Sequence, residues 1–150
     1  MGIMKFIPLL LCCGAGITTT LGQGTPTARQ SKDITAVVDN YSEAREKRDT
    51  LLLKSILATD VDQLVSSGEW RNGVSESVKG MLSSSQNSPG KRVLTVEKIK
   101  MITPTSAIAD ARYEIHNSDG TVRKMWSTFV MVDTKGSWKI SAIRNMLPSQ

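Results

Sequence analysis

The spacing of apolar residues changes once along the chain, near Lys91, and this change limits the fold more than any other feature. Before Lys91 apolar side chains recur at helical spacing, and after it they alternate with polar ones as in strands. Strands are predicted at residues 92–103, 106–116, 121–134 and 137–146. The Asp119-Gly120 and Lys135-Gly136 pairs between them are typical of hairpin turns. Helices followed by an antiparallel meander predict an α+β fold with the helices on one face of the sheet.

Three helices are predicted before the strands. The first begins near Asp33, with Ser31 or Asp33 as its cap. Its apolar residues form a single stripe: Ile34, Val37, Val38, Tyr41 and Ala44. The second helix is predicted at residues 49–58 and the third at residues 75–85, with a break at residues 59–62. Gly80 is unfavourable inside the third helix, because glycine has a low helix propensity.

The first 22 residues have the features of a cleavable secretory signal. Lys5 precedes an apolar run, and small and polar residues follow it, so cleavage is predicted after Gly22 or Gly24. The apolar run is too short for a comfortable membrane span. Residues 23–32 are polar and predict a flexible leader, which leaves a single domain at residues 33–148.

Both cysteines of the chain lie inside the predicted signal. A lipoprotein anchored through Cys12 or Cys13 is therefore the alternative, but neither cysteine follows the small residue that such a signal needs. Conventional cleavage leaves a mature chain without cysteine, and hence without a disulfide or a thiol nucleophile. We expect an exported protein, periplasmic or extracellular, with no membrane attachment after cleavage.

The third predicted strand has apolar residues on both faces. One face carries Met125, Phe129 and Met131, and the other carries Trp126, Val130 and Val132. The second strand differs, because its alanines share one face with Tyr113 while charged residues occupy the other. The helices cover one face of the sheet, and a second copy of the chain is the simplest cover for the other. The pattern predicts a homodimer formed through the sheet.

Charge and motifs exclude several classes of function. The formal net charge is +5, but the basic residues are scattered, which argues against a nucleic-acid interface. The sequence contains no Ser-His-Asp set, Gly-rich phosphate loop, zinc-ligand spacing or dinucleotide fingerprint. We therefore predict no cofactor and no metal.

Four stretches resemble the SnoaL-like branch of the nuclear transport factor 2-like superfamily: residues 41–49, 58–62, 67–73 and 136–148. The resemblance covers residues 33–148 and implies a cone, in which a curved antiparallel sheet packs on three N-terminal helices around a pocket. Members of the superfamily are often homodimers. They include isomerases, polyketide cyclases, dehydratases and non-catalytic binding domains, so the fold does not decide the function.

Ketosteroid isomerase is the sharpest enzymatic comparison within that resemblance. Its chemistry needs a carboxylate base and a protonated carboxyl group in an apolar pocket. The resemblance places Val65 where the base should lie and Thr128 where the carboxyl should lie. Neither side chain can perform these roles, so this mechanism is not expected unless the register shifts by one or two residues.

Six residues are the candidates for binding a ligand: Tyr41, Trp70, Tyr113, Trp126, Thr128 and Asn145. The resemblance turns the face that carries Trp126 and Thr128 into the cone, which makes Trp126 the preferred pocket residue. The same resemblance points Asn145 inward, whereas the apolarity of Trp138 favours burying the opposite face of the last strand. A dimer that covers the second face would reconcile the two.

Other polar residues have simpler interpretations. Asp60 and Asp62 are suited to acid–base chemistry or metal binding, but alternating aspartates after a helix more often form a solvated cap and turn. His116 is the only histidine and is predicted to be an exposed loop residue. Arg144 is suited to binding an anionic or carbonyl group, and a surface salt bridge is the preferred interpretation.

Two functions of different class remain open. The first is a non-catalytic, dimeric, exported domain that binds a small, partly apolar or carbonyl-bearing molecule, or acts as an interaction module. The second is an enzyme of the cyclase, isomerase or dehydratase type acting in the cone pocket. We favour the first, because the comparison leaves no acid–base pair.

Overall fold

Within residues 24–148, two helices, two strands and a third helix precede the predicted meander. A computed structural model describes residues 24–148, so the predicted signal segment lies outside the described residues. The elements are α1 Ala28–Lys47, α2 Thr50–Ile56, β1 Leu57–Leu64, β2 Trp70–Asn72, α3 Gly73–Asn87, β3 Lys91–Thr103, β4 Ser106–His116, β5 Val122–Thr134 and β6 Ser137–Met146. All six strands form one sheet in the order β2-β1-β6-β5-β4-β3. The predicted α+β class is confirmed, with the helices packed against one face of a curved sheet.

The first helix begins earlier than the sequence analysis placed it. Thr27 is its cap: the Thr27 hydroxyl accepts a hydrogen bond from the Gln30 backbone N–H at 3.1 Å. The Gln30 side chain in turn accepts one from the Thr27 backbone N–H at 2.9 Å. This reciprocal capping box fixes the start of α1 at Ala28, so part of the segment predicted to be a flexible leader is helical. The predicted apolar stripe of α1 is buried throughout.

Two strands replace a predicted break after the second helix. β1 includes residues 59–62, and it pairs in parallel with β6 and antiparallel with the short β2. Val61 and Gln63 point toward the helices and are buried, whereas Asp60 and Asp62 do not. The sequence of β1 does not show the alternation of apolar and polar residues that marks a strand, because a polar residue, Gln63, occupies an inward position. The strand also depends on a partner, β6, that is distant in sequence.

The meander itself is confirmed. The bounds of β4 and β6 agree with the prediction, and those of β3 and β5 differ by one residue. The inward face of β4 is buried as predicted, and it sets the face of β5, because directly paired residues share a face. Ala109 is paired with Phe129 and Ala111 with Ser127. The odd-numbered residues of β5 from Met125 to Met131 therefore form part of the core.

A bulge explains how β6 buries residues from both of its predicted faces. Ile140 is paired with Met131 and Ala142 with Val130, so Ser141 is an extra residue in β6. Before the bulge the even-numbered residues, such as Ile140, point inward, and after it the odd-numbered ones, such as Ile143, do. The conflict over the faces of the last strand is resolved within the chain and needs no dimer.

Candidate functional site

A cavity of about 260 Å³ lies between the helices and the inward face of the sheet. Residues of α1, β1, the end of α3 and strands β3 to β6 form its walls, and the loop between β1 and β2 contributes Ser66 and Ser67. Apolar surface comes from the side chains of Ile115 and Met125. Four arginines also line it: Arg45, Arg71, Arg92 and Arg123. We call this space the inner cavity.

Arg45 is buried in the wall of the inner cavity, with only 5% of its surface exposed. Its Nη1 donates a hydrogen bond to the Tyr41 hydroxyl at 3.0 Å. The guanidinium carbon lies 5.4 Å from the ring centroid of Tyr41 and 5.9 Å from that of Tyr113, within cation–π range. The Arg45 Nε–H is buried and has no hydrogen-bond partner among the described residues. Within that part of the chain, no carboxylate forms an ion pair with Arg45.

The Tyr41 phenol does not neutralise that charge. Burial raises the pKa of the Tyr41 hydroxyl above its ordinary value, although the nearby Arg45 opposes the increase. Tyr41 is therefore a neutral acceptor near pH 7, while an arginine stays protonated in a protein. The inner cavity thus has in its wall a positive charge that pairs with no anionic group of residues 24–148.

Arg71, by contrast, donates a hydrogen bond from each of its three guanidinium nitrogens to another residue of the chain. Its Nε donates to Glu69 Oε1 at 2.9 Å, its Nη1 to Gln63 Oε1 at 3.2 Å, and its Nη2 to Ser84 Oγ at 3.1 Å. The side chain crosses α3 directly over Gly80, where an added Cβ would lie 2.2 Å from the Arg71 Nε. This close approach explains a glycine in the middle of α3. Arg71 therefore ties β2 to β1 and α3.

Arg92 closes the end of α3. Its Nη1 donates to the Gly90 carbonyl at 3.0 Å, and its Nη2 donates to the Ser88 carbonyl at 2.8 Å and the Ser84 carbonyl at 3.3 Å. A cation at the C-terminal end of a helix satisfies carbonyls that have no partner within the helix. Arg92 Nε, like that of Arg45, is buried without a partner. The two arginines thus differ, since Arg92 donates to backbone carbonyls, whereas Arg45 lies among the tyrosines Tyr41 and Tyr113.

Three of the six candidate ligand residues come together at the inner cavity. Tyr113 and Asn145 line it, and Tyr41 holds the Arg45 side chain. Asn145 is positioned by Ser127, whose hydroxyl donates to the Asn145 Oδ1 at 2.6 Å. The prediction that Asn145 points inward agrees with this placement.

The placement of Trp126 and Thr128 inside the cone is wrong. Both lie on the opposite face of the sheet, where 39% of Trp126 is exposed and the Thr128 hydroxyl donates to Asp110 Oδ1 at 2.7 Å. Trp126 is paired with Arg112 of β4, and both side chains point away from the helices. An open groove of about 480 Å³ lies on this face, and its lining residues are Glu97, Lys98, Asp110, Trp126, Thr128 and Met146. We call this surface the outer groove.

Trp70 also lies outside the inner cavity. Half of its surface, 51%, is exposed, and the Arg144 guanidinium carbon lies 4.8 Å from its ring centroid. Arg144 Nη1 also donates to Asp62 Oδ1 at 2.6 Å, which confirms the preferred interpretation of Arg144 as a salt-bridge residue. Asp62 lies on a strand rather than in the predicted turn. Trp70 therefore belongs to a stacked surface cluster with Arg144 and Asp62.

The positions relevant to an isomerase mechanism hold no suitable carboxylate. Val65 lies in the cavity wall, as the resemblance placed it, whereas Thr128 lies outside. A shift by one residue from Thr128 gives Ser127 or Phe129, and neither is an acid. Among the described residues one carboxylate lines the cavity, that of Glu69, whose side chain is 57% exposed and paired with Arg71.

The remaining candidates are simple surface groups. His116 is exposed, as predicted, and its Nε2 lies 3.1 Å from Glu114 Oε2.

Within residues 24–148, no group of three or more His, Cys, Asp or Glu side chains could hold a metal ion. In the same range, no helix has the length and apolar character needed to cross a membrane.

Comparison with known proteins identifies the fold. No protein-family model and no curated protein matches the sequence. Solved structures do match: a Nostoc punctiforme protein of unknown function with a cystatin-like fold has a TM-score of 0.74 at 12% identity, over 83% of this chain and 95% of that one. A nuclear transport factor 2-like protein of unknown function from Pseudomonas putida gives 0.70 at 17% identity, over 85% and 92%.

A third match is a nuclear transport factor 2-like protein of unknown function from Shewanella oneidensis. It has a TM-score of 0.64 at 19% identity, over 77% of this chain and 98% of that one. Identities this low support a shared fold and no shared activity. The chain therefore has the cystatin-like fold of the nuclear transport factor 2-like proteins.

Proposed function

We propose that this protein is a non-catalytic domain that binds a small molecule in the inner cavity. One observation carries the proposal: a buried guanidinium, that of Arg45, stands in the cavity wall with hydrogen-bonding capacity that the described chain does not use. Buried polar groups in proteins are nearly always paired, so an unpaired one beside a cavity indicates a missing partner. A ligand in the inner cavity would supply it once the side chains that enclose the Arg45 Nε shift.

The size and chemistry of the inner cavity fit a small, partly apolar ligand. Its volume of about 260 Å³ lies just below the range of about 300–1,000 Å³ typical of sites for drug-sized molecules. Ile115 and Met125 offer apolar surface, while Arg45 and Asn145 offer polar groups. The outer groove is larger and more apolar, but none of its described lining residues holds a buried polar atom without a partner, and this difference favours the interior.

An enzyme of the cyclase, isomerase or dehydratase type is the second candidate. Such an enzyme needs a carboxylate or another base inside the pocket. The inner cavity offers arginines, serines and tyrosine, and its single carboxylate, Glu69, is committed to Arg71. The arrangement therefore favours binding over catalysis.

The proposal includes a homodimer formed through the outer face of the sheet, and membership of the SnoaL-like branch. Support for the dimer comes from side chains that the helices do not cover. Trp126 and Met146 are exposed, and Val130 and Val132 are half-buried on the same face. A second copy would bury this surface.

We also propose that the protein is exported. The support is the charged start, short apolar run and small residues of positions 1–22. A cavity protein outside the cytoplasm would encounter molecules from the surroundings. Its mature chain would contain no cysteine, so its stability would come from the core alone.

The proposed function is tested by recovering the ligand and by blocking the cavity. Mass spectrometry of small molecules released from the purified protein should detect a species that is retained through purification. Val65→Phe adds bulk to the cavity wall and should abolish retention, whereas the control Val122→Phe, at an exposed position of β5, should not. Equal retention by both variants would place the molecule elsewhere.

A further inference from the structure

We infer that the ligand of the inner cavity is a small organic carboxylate whose carboxylate group pairs with the Arg45 guanidinium. This inference rests on the proposed function and names the class of ligand. The argument starts from charge. The cavity lining includes four arginines and one carboxylate, and that carboxylate, Glu69, already pairs with Arg71.

The four arginines are not equivalent as anion sites. Arg71 has three side-chain acceptors within the chain, and Arg92 has three backbone carbonyls. Arg123 is exposed and donates to Ser66 Oγ at 3.0 Å. Arg45 alone among these four is buried with no acceptor other than tyrosine hydroxyls among the described residues. A buried charge without a counter-ion is strongly unfavourable, so Arg45 is the position at which an anion gains most.

The free edge of the Arg45 guanidinium has the geometry for a carboxylate. Nη1 donates to the Tyr41 hydroxyl, and the Tyr113 hydroxyl is the other neutral acceptor beside the group. Nε has no partner among the described residues, but the surrounding chain encloses it, so a ligand reaches it only when neighbouring side chains shift. Nε and Nη2 lie on the same edge of the guanidinium group, and a carboxylate that reaches this edge accepts from both, the bidentate pairing for which arginine is best suited.

The apolar residues that line the inner cavity favour an organic anion over inorganic phosphate. The side chains of Tyr113, Ile115 and Met125 line the cavity beside Arg45, and they would contact an apolar part of the ligand. The volume of about 260 Å³ exceeds what a bare phosphate needs and limits the organic part to a small group. Acetate, benzoate and phenylacetate therefore form a suitable series of probes.

Nuclear magnetic resonance of the purified protein tests the inference. The Arg45 Nε–H signal is the readout in the parent protein, and the backbone amide signals of Ile115 and Met125, which line the cavity, are the readout in every variant. Each of the three carboxylates is titrated against its neutral amide, acetamide, benzamide or phenylacetamide, at matched ionic strength in chloride. We expect at least one carboxylate to shift the Arg45 signal, and to bind at least tenfold more tightly than its amide. Inorganic phosphate should bind more weakly than that carboxylate.

Variants separate Arg45 from general charge effects. Arg45→Met removes the guanidinium and should abolish carboxylate binding. Arg29→Met, on the same helix with an almost fully exposed side chain, removes the same charge and should leave binding unchanged. Arg45→Lys keeps the charge without the two-donor edge, and it should bind at least tenfold more weakly. Arg45→Lys therefore tests the role of the guanidinium group even if Arg45→Met fails to fold.

The outcomes distinguish this inference from the proposed function. Equal binding of carboxylates and amides in the inner cavity, unaffected by Arg45→Lys, would overturn the inference and leave small-molecule binding intact. If phosphate binds more tightly than every carboxylate, the inference that the ligand is an organic acid is also overturned. Absence of any shift for cavity residues with every probe, together with no co-purifying molecule, would contradict both.

Discussion

Arg45 and Tyr41 lie one helical turn apart on α1, and the arginine donates a hydrogen bond of 3.0 Å to the phenol oxygen. Both side chains are buried, so a charged group deep in the protein depends on neutral tyrosine hydroxyls and two aromatic faces. The i,i+4 spacing brings the two side chains together on the inward side of α1. This pair links the core of the domain to its inner cavity.

Tyr41→Phe should destabilise the protein. The change removes the acceptor of a charged donor and leaves Arg45 Nη1 unpaired, which should lower the free energy of unfolding by about 1.5–3 kcal/mol. Urea denaturation followed by circular dichroism measures this change. Tyr113→Phe is the matched comparison, since the Tyr113 ring lies 5.9 Å from the same guanidinium, and it should cost less because the 3.0 Å hydrogen bond of Arg45 Nη1 goes to Tyr41. Equal effects of the two variants would show that the Tyr41–Arg45 bond contributes little.

Gly80→Ala should destabilise the protein although alanine is the better helix former by about 1 kcal/mol. The new Cβ would meet the Arg71 side chain, which is held by three hydrogen bonds and cannot move freely. Crowding of this kind costs about 1–3 kcal/mol. Thermal denaturation checks the sign of the change, with the exposed α3 position Ser83→Ala as control.

A double-mutant cycle isolates the cause of the Gly80 effect. In an Arg71→Ala background the obstructing side chain is absent, so Gly80→Ala should become neutral or stabilising. If Gly80→Ala is equally harmful with and without Arg71, then contact between these two residues is not the reason for the glycine.

The outer face of the sheet should form the dimer interface. Sedimentation at micromolar concentration should show a dimer, and Trp126→Glu should convert it to a monomer by placing a charge on the uncovered face. Leu51→Glu is the control, because Leu51 is 79% exposed on α2 and lies off the sheet. A monomeric parent protein, or a dimer that Trp126→Glu leaves intact, would contradict this arrangement.

The exported protein should have lost its first residues. Because a short apolar run follows Lys5, signal peptidase should act so that the mature chain begins at or near Gln23 or Thr25. Intact-mass analysis of the exported form measures this directly. Retention of residues 1–22, or a diacylglycerol attached to Cys12 or Cys13, would refute the assignment.

The meander could be predicted from the sequence because β3 to β6 pair with their neighbours along the chain, so that alternation and turn signals are local. β1 could not, since its parallel partner β6 lies about 80 residues away and its inward Gln63 breaks the apolar alternation. The start of α1 could have been found, because the Thr27 to Gln30 spacing is that of a capping box.

The position of Trp126 depends on a hairpin register that the sequence does not fix. β5 alone is apolar on both faces, so its own pattern does not choose the inward one. The face of β4 was clear, but a two-residue turn at Asp119-Gly120 would pair Trp126 with the inward Tyr113, whereas the longer turn that forms pairs Trp126 with Arg112 of the polar face. Cross-strand partners share a face, so Trp126 had to lie outside with Arg112.

Arg45 was missed for a different reason. It lies four residues after Tyr41 and so continues the buried stripe of α1, yet a charged residue at such a position is usually interpreted as the edge of the exposed face. Its burial depends on Tyr41 and Tyr113, the second of which comes from a strand far along the chain. Only the assembled fold brings these three side chains together.

A high-resolution crystal structure of the protein with its co-purified or added carboxylate tests the central claim most directly. We expect density for a small organic acid in the inner cavity, with its carboxylate oxygens within hydrogen-bonding distance of the Arg45 Nε and Nη2. An inner cavity that contains only water, with the acid bound instead in the outer groove beside Trp126, would contradict the account.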